Sequence, residues 1–356
     1  MSAIAAPQRL GQLLQLPEAT LSLPEAALVI ASHRYRDLQI EDYLARIALA
    51  GDRLRRRLAA DASKAHILAM LTHLMFDELG YAGATDDYYD PRNSYLNDVM
   101  ERRVGIPISL SILYMAIAQR VGLRLTGVAF PGHFLVRCAV DGGMVVLDRF
   151  QRGISVSEQD LNMRLAAQGL PAGELGAHLH PAPNRVILTR LLRNLLAIYI
   201  KLQQRESALE IADLILVVVP EAPQELLVRA RLYRELECYP AALRDLEHYL
   251  RVEPAGAADE EVQRMLRARR MVGDRVRRLG KDSVYDLSGM NRGSGLTADE
   301  VGDLTSHVPF FDRFEGKTEP FALKHMAADP AKHGALILNR VSAANFIALT
   351  TVLKAG

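Results

Sequence analysis

The pattern of apolar and polar positions divides the chain into stretches of different character. Between 21 and 80 it is helical: Ile67, Leu68, Leu71, Leu74, Met75 and Leu79 form one stripe, the spacing of a helix packed on one side. Pro24 suits the first turn of a helix, where its missing N–H costs little, and Gly80 supplies a stop. A turn-rich stretch, YAGATDDYYDPRNSYL, opens into a short helix ending near Arg103. Residues 105–122, GIPISLSILYMAIAQRVG, are apolar on most of the surface they would present, which predicts a fully buried helix. Three runs rich in β-branched and aromatic residues follow, RLTGVAF, HFLVRCAV and MVVLDRF. Turn signals separate them at 131–132 and 141–143. A buried helix followed by antiparallel strands predicts an α+β domain.

From about 184 the chain repeats itself. Leu192 and Leu226, Tyr199 and Tyr233, Ala208 and Ala242, Leu209 and Leu243, and Pro220 and Pro254 each stand 34 positions apart. This is the tetratricopeptide period, with small alanines where paired helices approach and a proline at the repeat end. The following EEVQRMLRARRMVGDRVRRLG carries Val262, Met265, Leu266, Val272, Val276 and Leu279 on one face. It lacks a third-repeat signature and reads as a capping helix.

Bulk properties narrow the function classes. The 356 residues allow two or three domains. A formal net charge of +1 gives no nucleic-acid-like field. Cys138 and Cys238 are too few for a disulfide framework or a structural zinc site, which fits a reducing cytoplasm. The N-terminus MSAIAAPQRLGQLLQ lacks a basic region followed by a long apolar core, so no signal peptide is expected. No uncharged apolar stretch of about 18 residues predicts a membrane span. No cofactor is implied.

The candidate chemistry lies in the order helix, His133, Asp148. Read as strands, HFLVRC begins with His133 and VVLDRF ends with Asp148. This order resembles the transglutaminase-like branch of the papain-type folds. There a Cys at a helix N-terminus is the nucleophile, a strand His the base, and an Asp on the next strand its orienter. More closely, YYDPRNSYL, ERRVGIPISLSILY, GVAFPGHFLVR and VVLDRFQRG, followed by the repeats, resemble the bacterial SirB-type family over about residues 21–280. That family joins a transglutaminase-like core to tetratricopeptide repeats, and its name comes from an invasion-gene regulator. The resemblance implies a regulatory setting.

The catalytic pattern is incomplete. Aligning Gly105 with the Gly-x-Cys of active members puts Pro107 in the nucleophile position. Ser109 would be rotated by about 200° around the helix, and Ser111 would lie about 6 Å deeper on the same face. Cys138 shares a strand with His133 and would point to the opposite face. His133 and Asp148 then read either as a surviving base–orienter pair or as a hydrogen bond between strands. Ser111 is the weak substitute nucleophile.

Other motifs have bland readings. His178 and His180 precede Pro181 and Pro183, which mark a loop linking domains, and Asp86, Asp87 and Asp90 lack calcium-loop spacing. Arg264, Arg267, Arg270, Arg277 and Arg278 make the capping helix basic and read as a solvated face or as a patch where nucleic acid or an acidic partner docks. Tyr199 and Tyr233 read as repeat packing. The predicted organisation is a tail (1–20), a transglutaminase-like domain (21–170), two repeats with a cap (184–280), a linker (281–305) and an extension (306–356). The predicted function is a non-catalytic regulatory or scaffold protein whose partner docks on the repeats. A cryptic hydrolase or acyl transferase using His133 and Asp148 is the alternative.

Overall fold

A computed structural model describes residues 5–148, 154–171, 175–236, 238–260 and 262–266, with the backbone of two short strands, β7 (His333–Ala335) and β8 (Val352–Lys354). The chain divides into two compact units, Met1–Ala222 and Pro223–Gly356.

In the first unit, α1 (Ala6–Leu13), α2 (Leu23–Arg34), α3 (Ile40–Arg55) and α4 (Lys64–Thr72) form a helical layer. Ser22 caps α2 and Ser63 caps α4, each accepting from an otherwise unpartnered first-turn N–H. α4 runs into a π-helical turn, His73–Glu78, and Gly80 ends it with φ +73°, a conformation costly for any side chain. A 3-10 turn (Pro91–Asn93) and α5 (Leu96–Arg102) lead to α6 (Pro107–Arg120). A parallel bridge between β1 (Ala82–Gly83) and β2 (Val104–Gly105) fixes the approach to α6. The helix is buried along most of its length, from Ile108 to Ala118, as its all-round apolar pattern predicts. Gly51 lets α3 cross it closely, because a Cβ there would overlap the Arg120 side chain.

A four-stranded antiparallel sheet follows in the order β3 (Leu125–Val128), β4 (Leu135–Val140), β5 (Gly143–Asp148), β6 (Ile154–Ser155). α7 (Glu158–Ala167) and α8 (Leu175–His178) pack on it. Leu161, Leu165 and Leu175 join Val128, Phe130, Leu135 and Val146 in one apolar cluster. The stretch expected to be an inter-domain linker is thus part of this core. Leu175 and Leu179 contribute apolar surface, and the Ala182 N–H donates to the Gly127 carbonyl of β3 at 2.8 Å.

The first repeat, α9 (Asn184–Lys201) and α10 (Arg205–Val218), belongs to this first unit. Tyr199 makes a hydroxyl–hydroxyl hydrogen bond with Tyr95 at 2.9 Å. The second repeat, α11 (Pro223–Glu235) and α12 (Tyr239–Val252), belongs to the second unit. Its hairpin is held by Leu226, Ala230, Ala242 and Leu246 and by a two-pronged Arg229–Asp245 pair at 2.6 and 2.7 Å. The unit boundary therefore falls between the repeats. The helical start of the expected cap is present at 262–266, with Val262 and Met265 buried. Its remainder, the 281–305 stretch and most of 306–356 lie outside the described residues.

Candidate functional site

The start of α6 is a closed polar lock. Asp90 caps the 3-10 turn, accepting from the Arg92 N–H at 2.9 Å, and it pairs with Arg92 at 2.7 Å and Arg102 at 3.5 Å. Burial alone would raise the Asp90 carboxyl, but the Arg92 hydrogen bonds and both arginine charges outweigh it and hold the acid below its ordinary value. Asn93 donates to the Asp87 carbonyl at 2.6 Å and accepts from Arg102 at 3.0 Å. Its backbone carbonyl accepts from Ser109 Oγ at 2.7 Å and from the Ile106 N–H at 3.2 Å. Ser109 Oγ in turn accepts the Ile106 N–H at 3.1 Å. Gly105 is required here, because a Cβ would meet Ser109 Oγ at 2.8 Å. The DPRN motif and the GIPIS motif are thus two halves of one clamp.

Inside that clamp Pro107 is the first residue of α6, a position that suits proline because the N–H it lacks would have no helical partner. It offers no nucleophile. Ser109 is fully buried and committed to the backbone. Ser111 is also fully buried, and its Oγ has no hydrogen-bond partner among the described residues. Cys138, on β4, is buried, and its thiol is pushed up by that burial, with Lys64 opposing, the opposite of an activated thiolate. Cys238 lies at the turn before α12.

His133 lies in a turn, not on the strand where the sequence placed it. Gly132 takes φ +71°, and the His133 N–H donates to the Phe130 carbonyl at 3.0 Å. This turn uses up the residues before Leu135, where β4 begins. Asp148 ends β5 as expected, but its carboxylate accepts from Arg164 of α7 at 2.8 Å. The His133 ring makes no hydrogen bond among the described residues, so neither the base–orienter bond nor an inter-strand bond forms between the two. Burial lowers the imidazole pKa from its ordinary 6.5, Arg164 lowers it further, Asp148 opposes and Arg190 adds to the lowering. The ring is therefore neutral at pH 7.

Two arginines that sequence reasoning passed over shape this corner. Arg164 takes the charge of Asp148. Arg190, on α9, donates to the Phe130 carbonyl at 3.1 Å, the same oxygen that receives the His133 N–H, and lies over the Phe134 ring with its Cζ 5.9 Å from the centroid. One signal was available. Arg190 interrupts the apolar run VILTRLL between positions that are buried, Leu188 and Leu191.

The remaining candidates are structural or peripheral. Tyr199 is buried against Tyr95, and Tyr233 carries the Arg229 guanidinium at 5.8 Å. His178 stands edge-on to Phe130 at 6.4 Å, with His180 exposed. No group of three metal-ligating side chains occurs among the described residues. Arg264 is exposed, whereas Arg267, Arg270, Arg277 and Arg278 lie outside the described residues. A cleft of about 130 Å³ between Arg46, Tyr81, Arg103 and Ile117 shares no residue with the His133 corner. No described helix is long and apolar enough to cross a membrane.

Comparison with known proteins agrees with this architecture. The family model for the transglutaminase-like superfamily matches residues 41–193, and a tetratricopeptide repeat model matches 195–270. A UPF0162 protein of Xylella fastidiosa is 39% identical over 249 residues, 69% of this chain and 89% of the relative. Protein SirB1 of Salmonella typhimurium is 28% identical over 62% of this chain and 80% of its own length. Human F-box only protein 21 is 31% identical over 50% of this chain but only 29% of its own length. A menin crystal structure matches at 11% identity with a TM-score of 0.33, covering 91% of this chain and 94% of that one. A transglutaminase-like core, a tetratricopeptide region and close similarity over nearly the whole length of a relative place the chain in the SirB1/UPF0162 family.

Proposed function

We propose that the chain is a non-catalytic binding protein that serves a regulatory or scaffolding role in the cytoplasm. The observation that carries this reading is the lock at the start of α6. Pro107 stands in the nucleophile position, Ser109 is tied to Asn93 and Ile106, and Ser111 is sealed in the core. Loss of a triad nucleophile costs on the order of 10⁶ in rate, and nothing hydrogen-bonded to His133 replaces it among the described residues. Tetratricopeptide repeats generally mediate protein–protein interaction, because stacked helix pairs present long surfaces to extended segments or partner helices. About half of this chain is also similar to part of the much longer F-box only protein 21, which fits a module that binds in different settings.

The second repeat is the proposed docking element for a protein partner. Affinity capture with the full chain and with a chain ending at Ala222 tests this. The partners recovered with the full chain are expected to be lost from the shorter one while its circular dichroism stays helical. Undiminished recovery contradicts docking on the second repeat.

A further inference from the structure

Arg190 is a partly buried cation that no carboxylate reaches among the described residues. A guanidinium has five N–H donors. One contact goes to the Phe130 carbonyl, and the Phe134 ring flanks the group. Withdrawing a charge from water without a counter-ion is costly. Arg164 in the same corner is neutralised by Asp148, and His133 is uncharged at pH 7 with a free ring. Arg190 therefore leaves the corner with uncompensated positive charge and unused N–H donors.

The exposed side of α9 extends this feature. Arg190, Asn194, Ala197 and Lys201 follow at steps of four, three and four residues, which returns Lys201 to within about 20° of the Arg190 direction, about 16 Å along the axis. Ala197 and Lys201 are exposed, and Asn194 is half-buried. Beside this face stand Tyr88 and Tyr89, 42% and 50% exposed and packed edge-to-face at 5.5 Å. Lys201 Nζ lies 3.2 Å from the Tyr89 ring centroid, and the Tyr88 hydroxyl feels the Arg190 charge. Exposed tyrosines beside an arginine are the composition of protein-binding hot spots.

We propose that this surface binds an extended acidic peptide segment of a protein partner, with one carboxylate on the Arg190 guanidinium beside His133 and a second near Lys201. The planar fork of a guanidinium matches a carboxylate in two-pronged fashion. At roughly 3.3 Å per residue, two acidic side chains five positions apart span the 16 Å between the cations. The inference rests on the reading of the chain as a binding protein and supplies the chemistry of a partner.

Fluorescence anisotropy on the full chain tests it, with a labelled seven-residue peptide carrying glutamates at its first and sixth positions and a counterpart with glutamines there. The glutamate peptide is expected to bind and the glutamine peptide not. Arg190→Met is expected to weaken binding at least tenfold and Lys201→Met a few-fold. Arg190→Lys, which keeps the charge but not the fork, is expected to fall between wild type and Arg190→Met. It also guards against misfolding of the methionine variant, which a thermal melt checks. No binding up to millimolar peptide, equal binding of both peptides, or an Arg190→Met variant that binds like wild type overturns the proposal. Displacement of the peptide by succinate at equal concentration overturns the peptide as the source of the carboxylate. Displacement by inorganic phosphate below the peptide concentration overturns the carboxylate itself. Failure here without acylation of Ser109 or Ser111 removes this site alone, whereas acylation of either serine removes the binding-protein reading.

Discussion

At the start of α6 the side-chain polar atoms of Asn93 and Ser109 are all bonded to the protein itself, whereas at the His133 turn an imidazole and most of a guanidinium are left over. In the transglutaminase-like pattern these two regions would together form one catalytic site. Here the start of α6 is a helix clamp, and the His133 turn keeps unused donors. Polar groups that are fully satisfied inside a protein contribute to a single rigid structure. Donors left over at a surface are available to a ligand. The contrast separates the two roles that an active site would combine.

Substitutions on the two sides are therefore expected to behave differently. Asn93→Ala removes two buried side-chain hydrogen bonds, one to the Asp87 carbonyl and one from Arg102, which keeps only its longer pairing with Asp90. It is expected to cost about 3 kcal/mol of stability in chemical denaturation. Ser109→Ala takes one partner each from the Ile106 N–H and the Asn93 carbonyl, which keep only their 3.2 Å bond to each other, for about 2 kcal/mol. Tyr95→Phe, which removes only the buried hydroxyl pair with Tyr199, is expected to cost about 1 kcal/mol. Arg190→Met, on the other side of the comparison, is expected to change stability by less than about 1 kcal/mol, since it removes a cation that has no counter-ion. A large loss of stability in Arg190→Met would place that arginine in the clamp's class and undo the contrast.

The smallest expected effect is on titration. His133 is held below its ordinary 6.5 mainly by burial, then by Arg164, with Arg190 adding to the lowering. NMR titration of its ring is expected to show a midpoint below 6.5, moving upward in Arg190→Met. The unfolded chain takes up a proton near 6.5 while the folded one resists it. The His133 contribution thus makes the fold less stable as pH falls through 6.5, and His133→Gln is expected to remove that part of the slope. A midpoint above 6.5 would mean that Asp148 serves the imidazole after all.

Much of the fold was legible because it rests on short-range patterns. The all-round apolar pattern of 107–120 marked the buried helix, the Asp141-Gly142-Gly143 turn marked the β4–β5 hairpin, and the 34-residue register marked both repeats. The division of the molecule between the repeats was not legible, because the Tyr95–Tyr199 contact joins residues 104 positions apart. The site was half legible. Pro107 opens α6 and Asp148 ends β5, as the helix and strand patterns place them. That Arg164 takes Asp148, and that Arg190 shares the Phe130 carbonyl with His133, are tertiary facts. Placing His133 on a strand failed because Gly132, with its positive φ, extends the turn past it.

No hydroxyl at the start of α6 is expected to act as a nucleophile. Intact-mass measurement after exposure of the full chain to excess p-nitrophenyl acetate, followed by peptide mapping, tests it most directly. The expected result is no acetyl ester on Ser109 or Ser111. An ester on either serine that forms in the wild type and disappears in His133→Ala would contradict it.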